Sequence, residues 1–159
     1  MPRHPFNQPR GRFETIHVES ATLAENMLGD PVRRSVVVYL PEGYDANNEA
    51  FPLMVDLVGF TGSGFAHVGW KAFQESLPQQ IDRLVDAGLM GHAIFAFPDC
   101  FTSLGGNQYI NSAAMGNWED FLCGDMLHAL ESSYRIKPGR EHRAVFGKSS
   151  GGYGAIVHG

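Results

Sequence analysis

AVFGKSSGGYGAIVHG, residues 144–159, admits two readings that lead to different chemistry. Gly147-Lys148-Ser149 suggests the end of a phosphate-binding loop, while Gly147-Lys148-Ser149-Ser150-Gly151 fits GxSxG, the turn that presents a nucleophilic serine. A phosphate loop of the form GxxxxGK[ST] needs an earlier glycine, so that successive backbone N–H groups can curl around the phosphates. Counting back from Gly147 that position is His142, and Gly139 lies too early. Such a loop also normally follows the first strand of its sheet, whereas several strand-like segments precede this one. GxSxG needs an apolar strand before it and a helix after it. HRAVFG (142–147) supplies the strand, and the segment after Gly152 is compatible with a helix. Ser149 is therefore the candidate nucleophile, and the N–H of Ser150, at the start of that helix, faces any negative charge that develops on a bound carbonyl.

The rest of the chain supplies the sheet that this turn requires. FETIHVES (13–20) and RSVVVYL (34–40) read as strands on either side of the turn signal Gly29-Asp30-Pro31, and form an antiparallel edge. LMVDLV (53–58) and AIFAFP (93–98) are short apolar runs of the kind buried on both faces of a sheet. PQQIDRLVDAGL (78–89) opens with proline and closes at Gly88, with Ile81, Leu84 and Val85 at helical spacing. WEDFLCGDMLHALESSY (118–134) repeats Phe121, Leu122, Met126, Leu127 and Leu130 along one helical face despite Gly124. Alternation of strands and helices builds right-handed crossovers, so the expected fold is α/β with a mostly parallel sheet and an antiparallel N-terminal edge. Residues 1–12 are expected to form an N-terminal arm, and residues 13–159 part of one domain.

Bulk composition excludes more than it assigns. At 159 residues with 43% apolar and 18% charged side chains, the chain can bury the core of about one domain. A net charge of −5 argues against nucleic acid as a partner, and the basic cluster Arg3, His4, Arg10 and Arg12 is expected to be a solvated arm. No run approaches the ~18 apolar residues of a membrane helix, and no signal-peptide pattern opens the chain. Two isolated cysteines, Cys100 and Cys123, make no disulfide framework, which favours a reducing, cytoplasmic setting. The seven histidines are scattered without a metal-ligand spacing, so neither a metal nor any other cofactor is expected.

An oxyanion hole needs a second N–H donor, usually from the loop after the third strand of the sheet. That loop is VGFTGSG (58–64), and Phe60 is the expected donor, with Thr61 in reserve. Asp99, at the end of a strand on the ligand side of the sheet, is expected to line the substrate pocket, and Trp118, at a helix start, either lines it too or packs into the core.

Taken together, VVVYLPEGYD (36–45), FPLMVDLVGFTGSG (51–64), AIFAFPDCF (93–101), NWEDFLCGDMLHALESSYRI (117–136) and RAVFGKSSGGYGA (143–155) resemble the esterase branch of the α/β-hydrolases. That branch includes S-formylglutathione hydrolase, enterochelin esterases, feruloyl esterases and mycolyltransferases. The resemblance implies a serine esterase acting on carboxylic esters or thioesters, with Ser149 as nucleophile and Phe60 and Ser150 as oxyanion donors. Relatives often carry methionine where this chain has Ser150, a departure in side chain but not in N–H. Acyl transfer to another acceptor, or ligand binding without catalysis, remain alternative outcomes of the same fold. A small-molecule ester is the expected partner, with self-association possible through an exposed apolar edge.

A serine hydroxyl is a poor nucleophile until a histidine takes its proton, and in this fold the order is Ser, acid, His. After Ser149 only His158 follows, on the helix behind the elbow, and no acidic residue. Upstream, His67, His92, His128 and His142 and Asp56, Asp99, Asp120 and Asp125 lack the family's positions. The expectation is an N-terminal part of a longer hydrolase, cut after the elbow. On that expectation p-nitrophenyl ester turnover by this polypeptide alone is negligible, which a standard absorbance assay checks.

Overall fold

The computed structural model describes residues 6–159. β1 (Arg12–Glu19) and β2 (Arg33–Leu40) are followed by β3 (Leu53–Leu57), the single turn α1 (Phe65–Val68), α2 (Leu77–Asp86) and β4 (Ile94–Pro98). A small hairpin, β5 (Asn111–Ser112) and β6 (Gly116–Asn117), then leads into α3 (Trp118–Asp120). α3 runs through a π-helical turn, Phe121–Met126, into α4 (Leu127–Ser133). β7 (Arg143–Gly147) and α5 (Ser150–His158) complete the chain. Arg3 and His4 of the expected basic arm lie outside the described residues, while Arg10 pairs with Asp86 and Glu42, and Arg12 with Glu14 and Asp45.

The main sheet has the order β1-β2-β4-β3-β7. β1 and β2 are antiparallel, β2 is antiparallel to β4, and β3 runs parallel to both β4 and β7. The β3–β7 register places Leu57 opposite Gly147, so the ends of these two strands reach the same rim of the sheet.

Period-two alternation along β2 and β4 sorts side chains into two cores. Val36, Val38, Leu40, Ile94 and Ala96 face Trp118, Phe121, Met126 and Leu130, whereas Val37, Tyr39, Phe95 and Phe97 face Ile81 of α2. α2 starts where Ser76 and Gln79 form a capping box, with Pro78 in the first turn, and the chain leaves it through Gly88 at φ 66°. The π turn contains Gly124 and keeps Phe121, Leu122 and Met126 buried on one side. Among the described residues no helix is long and apolar enough to cross a membrane.

Trp118 takes the core position rather than the pocket wall of its two expected places. It is 1% exposed, packs edge-on against Phe121 with centroids 5.6 Å apart, and donates through Nε1 to the Met115 carbonyl at 2.9 Å. The buried Arg34 guanidinium covers its ring at 4.9 Å. A large flat ring beside a short strand gains more from the core than from a wet rim. Trp118→Ala is expected to lower unfolding free energy by about 3–5 kcal/mol, read by urea denaturation, and to act on stability before it acts on any substrate.

The cysteines also separate. Cys100 is buried, but Cys123 is exposed. The Cys123 thiol titrates above its usual range because of partial burial and then the nearby carboxylates of Glu119 and Asp120. Its thiolate fraction at pH 8 is therefore below that of free cysteine, and iodoacetamide is expected to alkylate it more slowly than a cysteine-containing peptide.

Candidate active site

The end of β7 meets the end of β3 at a separation that excludes side chains. A Cβ on Gly147 would lie 2.5 Å from the Gly151 carbonyl carbon and would also overlap the Leu57 carbonyl oxygen. A Cβ on Gly151 would overlap the same Leu57 carbonyl and come within 2.8 Å of the Val58 oxygen. Glycine at both positions is thus what lets α5 begin directly over the rim of β3. The turn closes through Gly151 N–H on the Lys148 carbonyl at 3.0 Å and Tyr153 N–H on the Ser149 carbonyl at 3.0 Å.

Between these glycines the chain has no relaxed route. Ser149 is held at φ 57° and ψ −121°, and it is exposed. A side chain in this region of backbone space costs about 1–3 kcal/mol, which only a surrounding structure that over-determines it can maintain. Lys148 beside it is exposed.

The loop after β3 abuts this turn. A Cβ on Gly59 would stand 3.6 Å from both Ser149 Cβ and the Lys148 carbonyl oxygen. Residues 59–64 are folded tightly, with Gly62 N–H on the Gly59 carbonyl at 2.9 Å and Gly64 N–H on the Pro98 carbonyl at 3.3 Å. Gly106 N–H donates to the Phe60 carbonyl at 2.6 Å, and the Phe60 ring rests on Gly105. Neither the Phe60 N–H nor the Ser150 N–H has a hydrogen-bond acceptor among the described residues. The Ser150 side chain is buried, with Gln108 Nε2 3.3 Å from its hydroxyl. Tyr109 donates its hydroxyl to the Val58 carbonyl at 2.6 Å, and burial pushes this phenol up, so it remains a donor.

Asp99 reaches the rim but is engaged there. It accepts from Ser63 Oγ at 2.8 Å and from Phe101 N–H at 3.3 Å, and faces Arg34 Nη1 at 3.9 Å. These contacts make it a brace for the 59–64 loop as much as a pocket wall.

The structure brings together Ser149, Ser150 and the loop carrying Phe60, and keeps Trp118 apart from them. Among the described residues no histidine hydrogen-bonds to Ser149. His158 Nε2 donates to the Tyr109 carbonyl at 2.7 Å, His142 Nδ1 donates to the Pro138 carbonyl at 2.7 Å, and His92 and His128 are exposed. His67 binds the buried Asp56 through Nδ1, a pairing that sequence inspection left among scattered candidates. Asp120 accepts from Asn111 at 3.0 Å, and Asp125 from Ser20 at 2.6 Å. No group of three His, Cys, Asp or Glu side chains among the described residues could hold a metal ion.

A parallel β3–β7 pair, a strained serine between strand and helix, and a glycine-rich loop against it define the rim of an α/β-hydrolase. Residues 30–159 match the family described as "Putative esterase", and the chain belongs to that family. A ferulic acid esterase of solved structure is 25% identical with a TM-score of 0.76, over 96% of this chain and 54% of its own. A ferulic acid esterase from the anaerobic fungus Anaeromyces mucronatus is 19% identical, TM-score 0.66, over 94% of this chain and 54% of its own. An S-formylglutathione hydrolase from Agrobacterium tumefaciens is 17% identical, TM-score 0.67, over 95% and 53%. The chain thus spans about half the length of these structures. No curated protein sequence matches it.

Ser149→Gly is expected to raise unfolding free energy by about 1 kcal/mol, because glycine adopts this φ without strain. Gly151→Ala is expected to lower it by about 3 kcal/mol, since the added methyl overlaps β3 backbone that cannot move aside. Thermal and urea unfolding of the two variants check both signs.

Proposed function

We propose that this chain carries the nucleophile and the oxyanion hole of a serine esterase acting on small carboxylic esters or thioesters. Ser149 Oγ attacks the acyl carbon, and its proton passes to a general base. The carbonyl oxygen becomes an oxyanion that accepts from Phe60 N–H and Ser150 N–H, at the positive end of α5. Collapse of the tetrahedral adduct breaks the acyl–oxygen or acyl–sulfur bond, the alcohol or thiol leaves with a proton, and the acyl group stays on Ser149. Water then attacks the acyl-enzyme, releasing the acid and restoring the serine.

The observation that carries this reading is the exposed Ser149 at φ 57° against the Gly59–Phe60 loop. In this fold the acid and the histidine follow the nucleophile in chain order, which matches the position of Ser149 in the turn between β7 and α5. Phe60, Phe101 and Leu104 are exposed near that loop, which favours an apolar or aromatic acyl group. The two free cysteines favour a reducing, cytoplasmic setting.

Oxyanion hole and binding alone leave about 10³-fold catalysis when triad members are missing. A fluorophosphonate probe is therefore expected to label the folded chain at Ser149, located by peptide mass spectrometry, much faster than the urea-unfolded chain. Ser149→Ala should abolish the labelled peptide. Equal labelling of folded and unfolded chain, or labelling that survives Ser149→Ala, would overturn the assignment.

A further inference from the structure

β3 is an apolar run interrupted by one carboxylate. Asp56 is 1% exposed, in a position where an ionised group is unfavourable by several kcal/mol unless it is paired and hydrogen-bonded. Its partner is His67, whose Nδ1 donates to Asp56 Oδ2. The His67 side chain keeps 34% of its surface exposed, and its Nε2 has no partner among the described residues.

The pair spans a particular piece of chain. Between Asp56 and His67 lie the last residues of β3, the whole 59–64 loop and the first turn of α1. That helix has no fully buried side chain, and only Val68 packs partly against the α2-side core. Apolar burial therefore holds α1 weakly, and the hydrogen bond from His67 back to β3 is its polar anchor. Other ties act within or above the loop: Gly64 on Pro98, Ser63 on Asp99, and Gly106 on Phe60. The Asp56–His67 bond is the one that returns the far end of the loop to the strand from which it departs.

We propose that Asp56 and His67 form the positioning pair of the oxyanion loop, setting the height of the Phe60 N–H relative to Ser149. This rests on the reading of Ser149 as nucleophile and Phe60 N–H as donor. The buried carboxylate accepts from Nδ1–H, which orients the ring and pins α1. His67 acts through the backbone of residues 58–66 and does not touch the reacting atoms. Its place eleven residues beyond a buried aspartate in an apolar strand explains why a charged side chain occurs there at all.

Three variants separate positioning from other roles. His67→Ala removes the donor, His67→Asn keeps an amide N–H near the position of Nδ1, and Asp56→Asn keeps an acceptor without the charge. Two readouts are needed: amide hydrogen exchange of residues 58–66, and phosphonylation of Ser149 resolved into limiting rate and half-saturating probe concentration. His67→Ala is expected to speed exchange across 58–66 by about tenfold while β4 stays protected. It should lower the limiting rate by about tenfold or more, in line with displacement of one oxyanion donor, with half-saturation nearly unchanged. His67→Asn is expected to restore both, and Asp56→Asn, if folded, to retain most of both. Unchanged exchange in His67→Ala, or a rate lost equally in His67→Ala and His67→Asn, would overturn the proposal. If the wild-type chain is not labelled at Ser149, the serine reading itself fails, and exchange at 58–66, which needs no chemistry, still decides whether the pair anchors the loop.

Discussion

The carbonyl oxygen of Leu57 sits where the side chains of residues 147 and 151 would otherwise be. This contact between the end of β3 and the β7–α5 turn is the constraint on which the rim is built. Because both flanking positions are glycine, strand and helix approach one another across a gap with no room for a methyl group. The residue between them must then take a positive φ, and that residue is Ser149. Its exposure, its strain and its contact with the Gly59–Phe60 loop follow from one close approach of backbones rather than from separate devices.

Such strain persists only on a rigid support. The sheet supplies it through two cores, one under α3 and α4 and the other under α2, both made of side chains that alternate along β2 and β4. Polar groups on the rim are almost all engaged: Asp99 with Ser63 and Arg34, Tyr109 with the Val58 carbonyl, Gly106 with Phe60. The two N–H groups of Phe60 and Ser150 are left without acceptors among the described residues. In the proposed mechanism these two donors, beside the exposed hydroxyl, receive the oxyanion. β7 carries β3 on one side, and beside α5 a cavity of about 410 Å³ is lined by Leu57, Leu122, Met126, Val145 and His158.

Much of the fold was legible in the residues because its signals are local. The apolar runs 53–58 and 93–98, the proline-led helix and the alternation of strands with helices all depend on neighbours within a turn or two, and β3, β4, α2 and β7 appear within a few residues of their expected ends. GxSxG was legible for the same reason, since its glycines and serine act within five successive positions. α1, the β5–β6 hairpin and the π turn carried no such signature. Each is short, and each is imposed by the loops and cores it touches.

What the sequence by itself determined is the class of layered sheet, its antiparallel edge, and the strand–serine–helix turn, all set by local periodicity and by where glycine must stand. Tertiary structure alone decided that Trp118 belongs to the core under Arg34, that Asp99 braces a loop, and that the buried Asp56 is answered by His67. Those outcomes depend on which distant groups meet when the sheet closes, and on the cost of leaving a buried ring, guanidinium or carboxylate without a partner, neither of which is written in the spacing of residues along the chain.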